Sequence, residues 1–349
     1  MEEILILFKK HIHWAVIFFI LAVISIWAVV SHADGYAVAL MAQLIKPRCV
    51  PWTLLAVCGM FGNLFFEGRA LACLIRGLSP ESSAGNNMLY SAADIYFSAI
   101  TPSSTGGQPA SAFFMIRDGI PAGTSTVILI VNVFMYTLAL MTVGLITFIF
   151  QPTLLFQFSM PARILISIGI LFLFLLCLLF ILLLKKEQWI RGIASFFISA
   201  GIALHFIKDR EHYVRKTDKM IMQYKNCVAV SKGKKRVLFL AYCHDLLQRL
   251  SLLSVTLCVY MAFGGAVSAL PLLFCIQSLV FIGAYSIPIP GAMGVSDYLL
   301  LNGLSLVPGI THEANIELAS RGFSFYCCVI LSIMIVIFGY LRQRKRQAI

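Results

Sequence analysis

Long apolar segments alternate with short polar or basic segments along most of the chain. A helix rises about 1.5 Å per residue, so roughly 20 apolar residues cross a hydrocarbon core about 30 Å thick. Segments of suitable length lie at residues 14–30, 52–73, 124–150, 162–184, 237–263 and 316–341. No small-residue cleavage site follows the first segment, so we expect it to be retained as a helix. The pattern predicts an all-α, polytopic membrane protein.

Two further apolar stretches are each broken by a turn rich in glycine and proline. Backbone groups in such a turn cannot be left facing lipid, so the turn must be packed in protein or line a cavity. Most of the arms beside these turns are too short to cross the bilayer. We therefore predict two re-entrant helical hairpins, the first around 87–117 with its turn at 101–110 and the second around 266–306 with its turn at 287–297.

Basic residues lie mostly outside the apolar segments and are densest between Lys185 and Arg236, where thirteen Lys and Arg accompany four Asp and Glu. The positive-inside rule places this stretch and both termini in the cytoplasm. Segment 192–207 is apolar but short, so we expect an interfacial helix there; a true span is the alternative and would invert the second half. The chain then divides into a first membrane half (1–184), a basic cytoplasmic insert (185–236) and a second membrane half (237–349).

In this topology the first hairpin opens to the cytoplasm and the second opens to the outside. Opposed hairpins are typical of inverted-topology repeats, which bring two broken helices together near the membrane midplane. Helix N-termini at such a point favour an anionic group. The alternative is that the glycines and prolines only permit close helix packing or kinks.

Charged residues inside the apolar segments are the main candidates for a site, since a charge at mid-membrane costs about 2.5 to 3.5 kcal/mol. Arg249 lies roughly 18 Å along its predicted helix, near the bilayer centre. It either pairs with Asp245 one turn earlier, which would only lock the helix, or faces a cavity and receives a lipid phosphate. Glu67 is deep enough to meet an amine or Arg249.

Other polar residues flank the two turns. Asp94 precedes the first turn and Asp297 follows the second, so each is either a hairpin cap or a headgroup contact. Arg321, near one end of the last span, either snorkels to the interface or contacts a headgroup. The predicted substrate-binding residues are Arg249, Glu67, Asp297, Gln108, Gly106, Gly107, Asp94 and Arg117.

Other kinds of chemistry find little support in the sequence. It contains no nucleophile–base arrangement, metal-ligand cluster or nucleotide-binding loop, so we expect no catalytic residue, no metal and no cofactor. The net charge of +12 is explained by membrane orientation and anionic lipid headgroups, so we expect no nucleic-acid partner. Without an ATP-binding motif, transport would be downhill or ion-coupled.

The run 101–110 with Arg117, and the run 288–297, resemble the two signatures of the lysylphosphatidylglycerol synthase transmembrane family, the flippase-like membrane part of the bacterial multiple peptide resistance factor. The resemblance implies a protein of the bacterial cell membrane that moves aminoacylated or other phospholipids between leaflets, with roles in lipid metabolism and antibiotic resistance. Many members carry glutamate where Gln108 and Asp297 stand, so a cationic-headgroup contact at Gln108 would lack a charge.

The full resistance factor resembles this membrane part followed by a soluble acyltransferase domain that takes lysine from charged tRNA. The insert at 185–236 is too short for such a domain, and the chain stops at Ile349 soon after the last span. We therefore expect a phospholipid translocator, for lysylphosphatidylglycerol, phosphatidylglycerol or a related lipid, rather than an enzyme.

Three alternatives to this function stay open. The chain could belong with phosphatidylglycerol lysyltransferases or be the membrane subunit of one, it could be a secondary transporter of a small solute, or it could be a scaffold for a separate synthase. The protein partners implied by these interpretations are a separate lipid aminoacyltransferase and a second copy of this chain.

Overall fold

The structure is a computed structural model that describes residues 44–81, 85–101, 104–185, 222, 233–287, 289–310 and 312–347. Within these ranges every regular element is a helix. The α-helices are α1 (Val50–Leu78), α2 (Asn87–Ile100), α3 (Gly107–Arg117), α4 (Ala122–Phe150), α5 (Leu154–Gln157), α6 (Met160–Lys185), α7 (Lys235–Ala262), α8 (Leu270–Tyr285), α9 (Val295–Leu304), α10 (Glu313–Arg321) and α11 (Cys328–Gln347). Short 3-10 helices at Val267–Ala269 and Pro290–Ala292 precede α8 and α9, and a π-helical segment, Gly322–Cys327, joins α10 to α11.

Six helical segments in the described ranges are long and apolar enough to cross a membrane: Val50–Leu78, Ala122–Phe150, Met160–Leu182, Lys235–Ala262, Val267–Tyr285 and Glu313–Arg344. The protein is therefore an all-α, multi-pass membrane protein, as the apolar pattern predicted. The predicted span at 14–30, the segment 192–207 and most of the insert 185–236 lie outside the described residues. The cytoplasmic insert and the orientation of the two halves stay predictions.

Three helices of the two hairpins are too short to cross the bilayer on their own. Helices α2, α3 and α9 contain 14, 11 and 10 residues, which correspond to about 21, 17 and 15 Å against a hydrocarbon core of about 30 Å. Helix α2 packs against α3, and α8 packs against α9, so both predicted hairpins are present as helix pairs. Together with its preceding 3-10 helix, α8 is as long as a full span, so the second hairpin has one long arm. The re-entrant course of the hairpins stays a prediction.

The two hairpins meet where α2 contacts the Pro290–Ala292 turn. Backbone in the left-handed region makes this second turn tight, with φ of 59° at Gly291 and 79° at Gly294. Glycine adopts these angles without the steric penalty that a Cβ would bring. Contact between the two broken segments is the geometry that an inverted repeat requires, although the repeat symmetry itself stays a prediction.

Helices α1 and α7 form the most extensive helix pair in the described part of the chain. A Cβ added to Gly59 would lie 2.8 Å from the Ser251 carbonyl oxygen, and one added to Gly62 would lie 2.7 Å from Ser251 Oγ. The two glycines therefore let the helix backbones approach closely, as small residues do in membrane helix pairs. This approach allows Glu67 on α1 to reach Gln248 on α7.

Buried apolar side chains form two main clusters. One cluster gathers residues of α6, α8, α9 and the C-terminal half of α7, and the other gathers residues of α2, α3, α4 and the C-terminal half of α1. Along α7, Ala241 belongs to the second cluster and Val255 to the first. Arg249 lies between these two positions, so it occupies the gap between two apolar cores.

We expect Gly59→Val to lower the free energy of unfolding by about 1 to 3 kcal/mol, because the added side chain forces α1 away from α7. Thermal unfolding of the detergent-solubilised protein would show this as a lower midpoint. Gly322→Val is the matched control, since a Cβ there meets no atom within 4 Å. A Gly59 variant as stable as this control would contradict close packing of the two helices.

Candidate functional site

Polar side chains from several helices meet between the two apolar cores. We call this group the central polar cluster; it consists of Glu67, Asp94, Gln108, Tyr136, Asp245, Gln248 and Arg249. Glu67 is 4% exposed and Arg249 is 6% exposed. Charged side chains are seldom buried to this degree unless they are paired or functional, so the cluster is the candidate site.

The first hairpin holds Asp94 at the beginning of α3. Gln108 Nε2 donates a hydrogen bond to Asp94 Oδ2 (2.8 Å), and Ser98 Oγ donates to Asp94 Oδ1 (3.2 Å). A Cβ on Gly107 would overlap the Asp94 carboxylate and the Ser98 hydroxyl, so glycine is required at this position. The carboxylate lies at the N-terminal end of α3, where the helix dipole favours a negative charge.

Gly106 has a related structural role in the same turn. Its backbone N–H donates to Thr101 Oγ1 (2.8 Å), and a Cβ at this position would overlap the Thr101 side chain. The two glycines of the motif therefore bring the arms of the hairpin together. They contribute backbone space to the site, whereas Asp94 and Gln108 contribute its polar groups.

Glu67 links the first hairpin to α7. Gln248 Nε2 donates to Glu67 Oε2 (3.1 Å). On its other side the Glu67 carboxyl group is in hydrogen-bonding contact with the carboxyl group of Asp94. A buried glutamate on α1 and a half-buried aspartate on α2 thus form an acidic pair, and each accepts a hydrogen bond from one glutamine amide.

The guanidinium group of Arg249 lies 3.8 Å from the centre of the Tyr136 ring, which is a cation–π contact. Among the described residues Arg249 makes no ion pair within 4.0 Å, and its Nε has no hydrogen-bond partner. Both carboxylate oxygens of Asp245 also lack partners there, so the alternative of a self-contained Asp245–Arg249 ion pair is wrong. The Nε–H group of the guanidinium therefore remains available for an anion.

Asp297 has different partners from the central polar cluster. Its Oδ1 lies 2.7 Å from Arg321 Nε, and its Oδ2 accepts a hydrogen bond from the Gly294 N–H (2.9 Å). Arg321 also donates to the carbonyl oxygen of Gly291 (3.3 Å). Asp297 is thus the cap of α9, and together with Arg321 it fastens the second turn to α10.

Arg117 lies at the other end of α3 from the glycine motif. Its guanidinium lies 4.7 Å from the centre of the Tyr340 ring on α11. Next to it, Asp118 accepts hydrogen bonds from Tyr90 (2.6 Å) and Asn86 (2.8 Å), which close the base of the first hairpin. The structure does not bring Arg117 together with Arg249.

Three members of the central polar cluster were not predicted as site residues: Tyr136, Gln248 and Asp245, the last of which was considered only as an ion-pair partner of Arg249. Tyr136 lies in the apolar segment of α4, where nothing in the sequence distinguishes it from other aromatic residues. Gln248 was detectable, because Asp245, Gln248 and Arg249 have the spacing of one helix face. Beyond the cluster, the Tyr285 ring at the end of α8 lies 5.7 Å from the Tyr136 ring, which connects the second hairpin to the site.

The fold and this site define a class: a multi-pass helical membrane protein with a buried, charged site at the meeting point of two helical hairpins. Residues 13–332 match the protein family described as "Lysylphosphatidylglycerol synthase TM region". The match covers nearly the whole chain, so the chain belongs to this family, as its two turn motifs indicated. The comparisons with curated proteins and with solved structures gave no match.

We expect Asp297→Ala to destabilise the protein more than Asp297→Asn, by about 1 kcal/mol, because asparagine keeps an oxygen that can cap α9. Thermal unfolding in detergent compares the two variants. Arg321→Gln should cost less in the Asp297→Asn background than in the wild type, since the ion pair is already absent. Equal stability of the two Asp297 variants would contradict the capping contact.

Proposed function

We propose that this protein is a phospholipid translocator of the bacterial cell membrane, with lysylphosphatidylglycerol, phosphatidylglycerol or a related lipid as its substrate. The observation that carries the proposal is Arg249, a buried cation with no carboxylate partner among the described residues. Phosphatidylglycerol and lysylphosphatidylglycerol both present a phosphodiester, and a planar guanidinium binds such a group through two parallel hydrogen bonds. Arg249 is therefore assigned to the lipid phosphate.

The surroundings of Arg249 suit this role. Tyr136 covers one face of the guanidinium and keeps it oriented, while the in-plane N–H groups can donate to an incoming anion. A charge held at mid-membrane costs about 2.5 to 3.5 kcal/mol, and a phosphate that binds there would offset part of this cost. Because the chain belongs to a family named after a lipid synthase, a lipid is a better candidate than a soluble anion for the source of the phosphate.

The acidic pair is assigned to the other end of the lipid headgroup. In an aminoacylated lipid the headgroup ends in an amine, which could bind to Glu67 and Asp94 while the phosphate binds Arg249. The acyl chains would stay in lipid beside the groove. In this proposal Gln108 orients Asp94 through its amide and needs no charge of its own.

The two hairpins supply a means of exposing the site to each leaflet in turn. Their contact through α2 and the Pro290–Ala292 turn lies beside the site, and the Tyr136–Tyr285 ring contact joins the two halves. Small rocking of one hairpin against the other would open the groove to one side at a time. We assign Asp297 to holding the second turn during this motion rather than to headgroup binding. In the same proposal both termini lie in the cytoplasm.

We expect purified protein in proteoliposomes to exchange phospholipids between leaflets, and Arg249→Ala to slow this exchange about tenfold or more. A hydrogen bond to a charged group contributes about 1.5 to 3 kcal/mol, which corresponds to this factor. Periodate measures outer-leaflet phosphatidylglycerol through its glycerol diol, and a membrane-impermeant amine reagent measures outer-leaflet lysylphosphatidylglycerol.

Arg163→Ala is the control for loss of an arginine, since Arg163 packs on Phe156 outside the central polar cluster. Arg249→Lys should fall between wild type and Arg249→Ala, because lysine keeps the charge but loses the planar fork. Folded wild-type protein that exchanges neither lipid, or exchange that Arg249→Ala leaves unchanged, would contradict the proposal.

A further inference from the structure

The carboxyl groups of Glu67 and Asp94 are neighbours between α1 and α2, where Gln248 donates to Glu67 (3.1 Å) and Gln108 donates to Asp94 (2.8 Å). Two ionised carboxylates in neighbouring positions repel each other, and a hydrogen bond between them requires a proton on one of the oxygens. Close helix packing brings the two carboxyl groups together. Gly107 leaves room for the Asp94 side chain, and the packing of α1 against α7 directs the Glu67 side chain into the bundle. The pair has the geometry of a site that holds one proton.

The charges around Glu67 and Asp94 also support the binding of one proton by this pair. The titratable groups that face it are Asp245 and Arg249 from α7, Tyr136 from α4, Tyr285 from α8 and Cys328 from α11. If all three acids were ionised, three carboxylates and one guanidinium would give this region a charge of −2. One bound proton reduces the charge to −1, which burial penalises less.

A second observation indicates that the pair acts together with a ligand. Polar atoms of three nearly fully buried side chains beside it have no partner among the described residues: Arg249 Nε, Gln248 Oε1 and both oxygens of Asp245. Gln248 is bonded to Glu67 through its amide nitrogen, and Arg249 acts electrostatically on both acids of the pair. A ligand at Arg249 would therefore change the charge balance at the carboxyl pair.

We propose that Glu67 and Asp94 bind a proton together with an anionic lipid, so that phosphatidylglycerol and a proton cross the membrane in the same direction. This inference rests on the proposed function. A phosphate on Arg249 neutralises the charge that otherwise stabilises the carboxylates, so the pair keeps its proton while the lipid is bound. When the lipid leaves, Arg249 again favours the ionised form, and the proton passes to water. By linkage, each ligand strengthens binding of the other by the same factor.

A metal ion fits this site less well than a proton. Among the described residues no group of three or more His, Cys, Asp or Glu side chains is arranged to hold a metal. The amide nitrogens of Gln108 and Gln248 point at the carboxylates as donors, whereas a metal site requires oxygen atoms there. A sodium gradient distinguishes metal-ion coupling from proton coupling at this site.

The test measures the leaflet distribution of phosphatidylglycerol in proteoliposomes under a pH gradient, with the membrane potential clamped. If one proton moves with each lipid, a gradient of about one pH unit corresponds at equilibrium to a tenfold ratio of phosphatidylglycerol between the two leaflets. We expect enrichment approaching tenfold in the leaflet on the alkaline side. Because a proton and a singly charged anionic lipid move together without net charge, the distribution should not respond to membrane potential alone. A sodium gradient should have no effect.

Glu67→Gln and Asp94→Asn should each abolish the pH-driven asymmetry. Glu317→Gln is the matched control, since Glu317 belongs with Asp297 and Arg321 rather than with the pair. Exchange that continues without asymmetry in the wild type, or asymmetry driven by sodium, would overturn the inference and leave the proposed function in place.

Infrared spectroscopy of the protein in nanodiscs gives a readout that does not depend on transport. The wild type should show the C=O stretch of a protonated carboxylic acid near neutral pH, and Glu67→Gln and Asp94→Asn should each remove or shift it. The Asp245→Asn variant shows how much of this infrared band comes from Asp245. Absence of this band in the wild type would overturn the proton site. Its presence in a protein that exchanges no lipid would mean that the proposed function fails while the proton site stands.

Discussion

The solvation free energy lost by charges buried between two apolar cores is the constraint on which the rest of the structure depends. Arg249 and Glu67 are buried and Asp94 is half-buried, and each must recover part of the lost solvation free energy through local contacts. The Tyr136 ring lies under the guanidinium, and glutamine amides donate to both carboxyl groups. Because these partners come from different helices, the polar cluster determines how the helices are arranged as much as apolar packing does.

Close approach of backbones makes this arrangement possible. Gly59 and Gly62 let α1 and α7 pack tightly enough for Glu67 to reach its partner on α7, and Gly107 lets a carboxylate lie against the start of α3. At the second hairpin, Gly291 adopts a left-handed conformation that leaves its carbonyl oxygen available to Arg321. In lipid, where a free polar group finds no water, such contacts satisfy groups that would otherwise destabilise the fold.

The candidate site was partly predictable from sequence. The two predicted charged residues that lie outside the central polar cluster, Asp297 and Arg117, show the limit of that prediction. The structure places Glu67, Asp94 and Arg249, all candidates from the sequence, in one polar cluster, while their role in binding a substrate stays a prediction. Asp297 looked equivalent to Asp94 by its place beside a turn, yet it binds Arg321, a partner supplied by a helix that follows later in the chain. Arg117 shares a motif with Gly107 but lies about 15 Å along α3, too far to join the cluster.

The sequence by itself determined the fold class and the family. In a bilayer the backbone must satisfy its own hydrogen bonds, so the lengths of apolar segments and the positions of glycine-rich breaks are enough to indicate spans and hairpins. Only the tertiary structure decided which buried charges are paired. The spacing of Asp245 and Arg249 permits an ion pair without requiring one, and Tyr136 and Gln248 become partners only because α4 and α1 pack against α7. Side-chain partners depend on distances between helices, which no single segment of sequence contains.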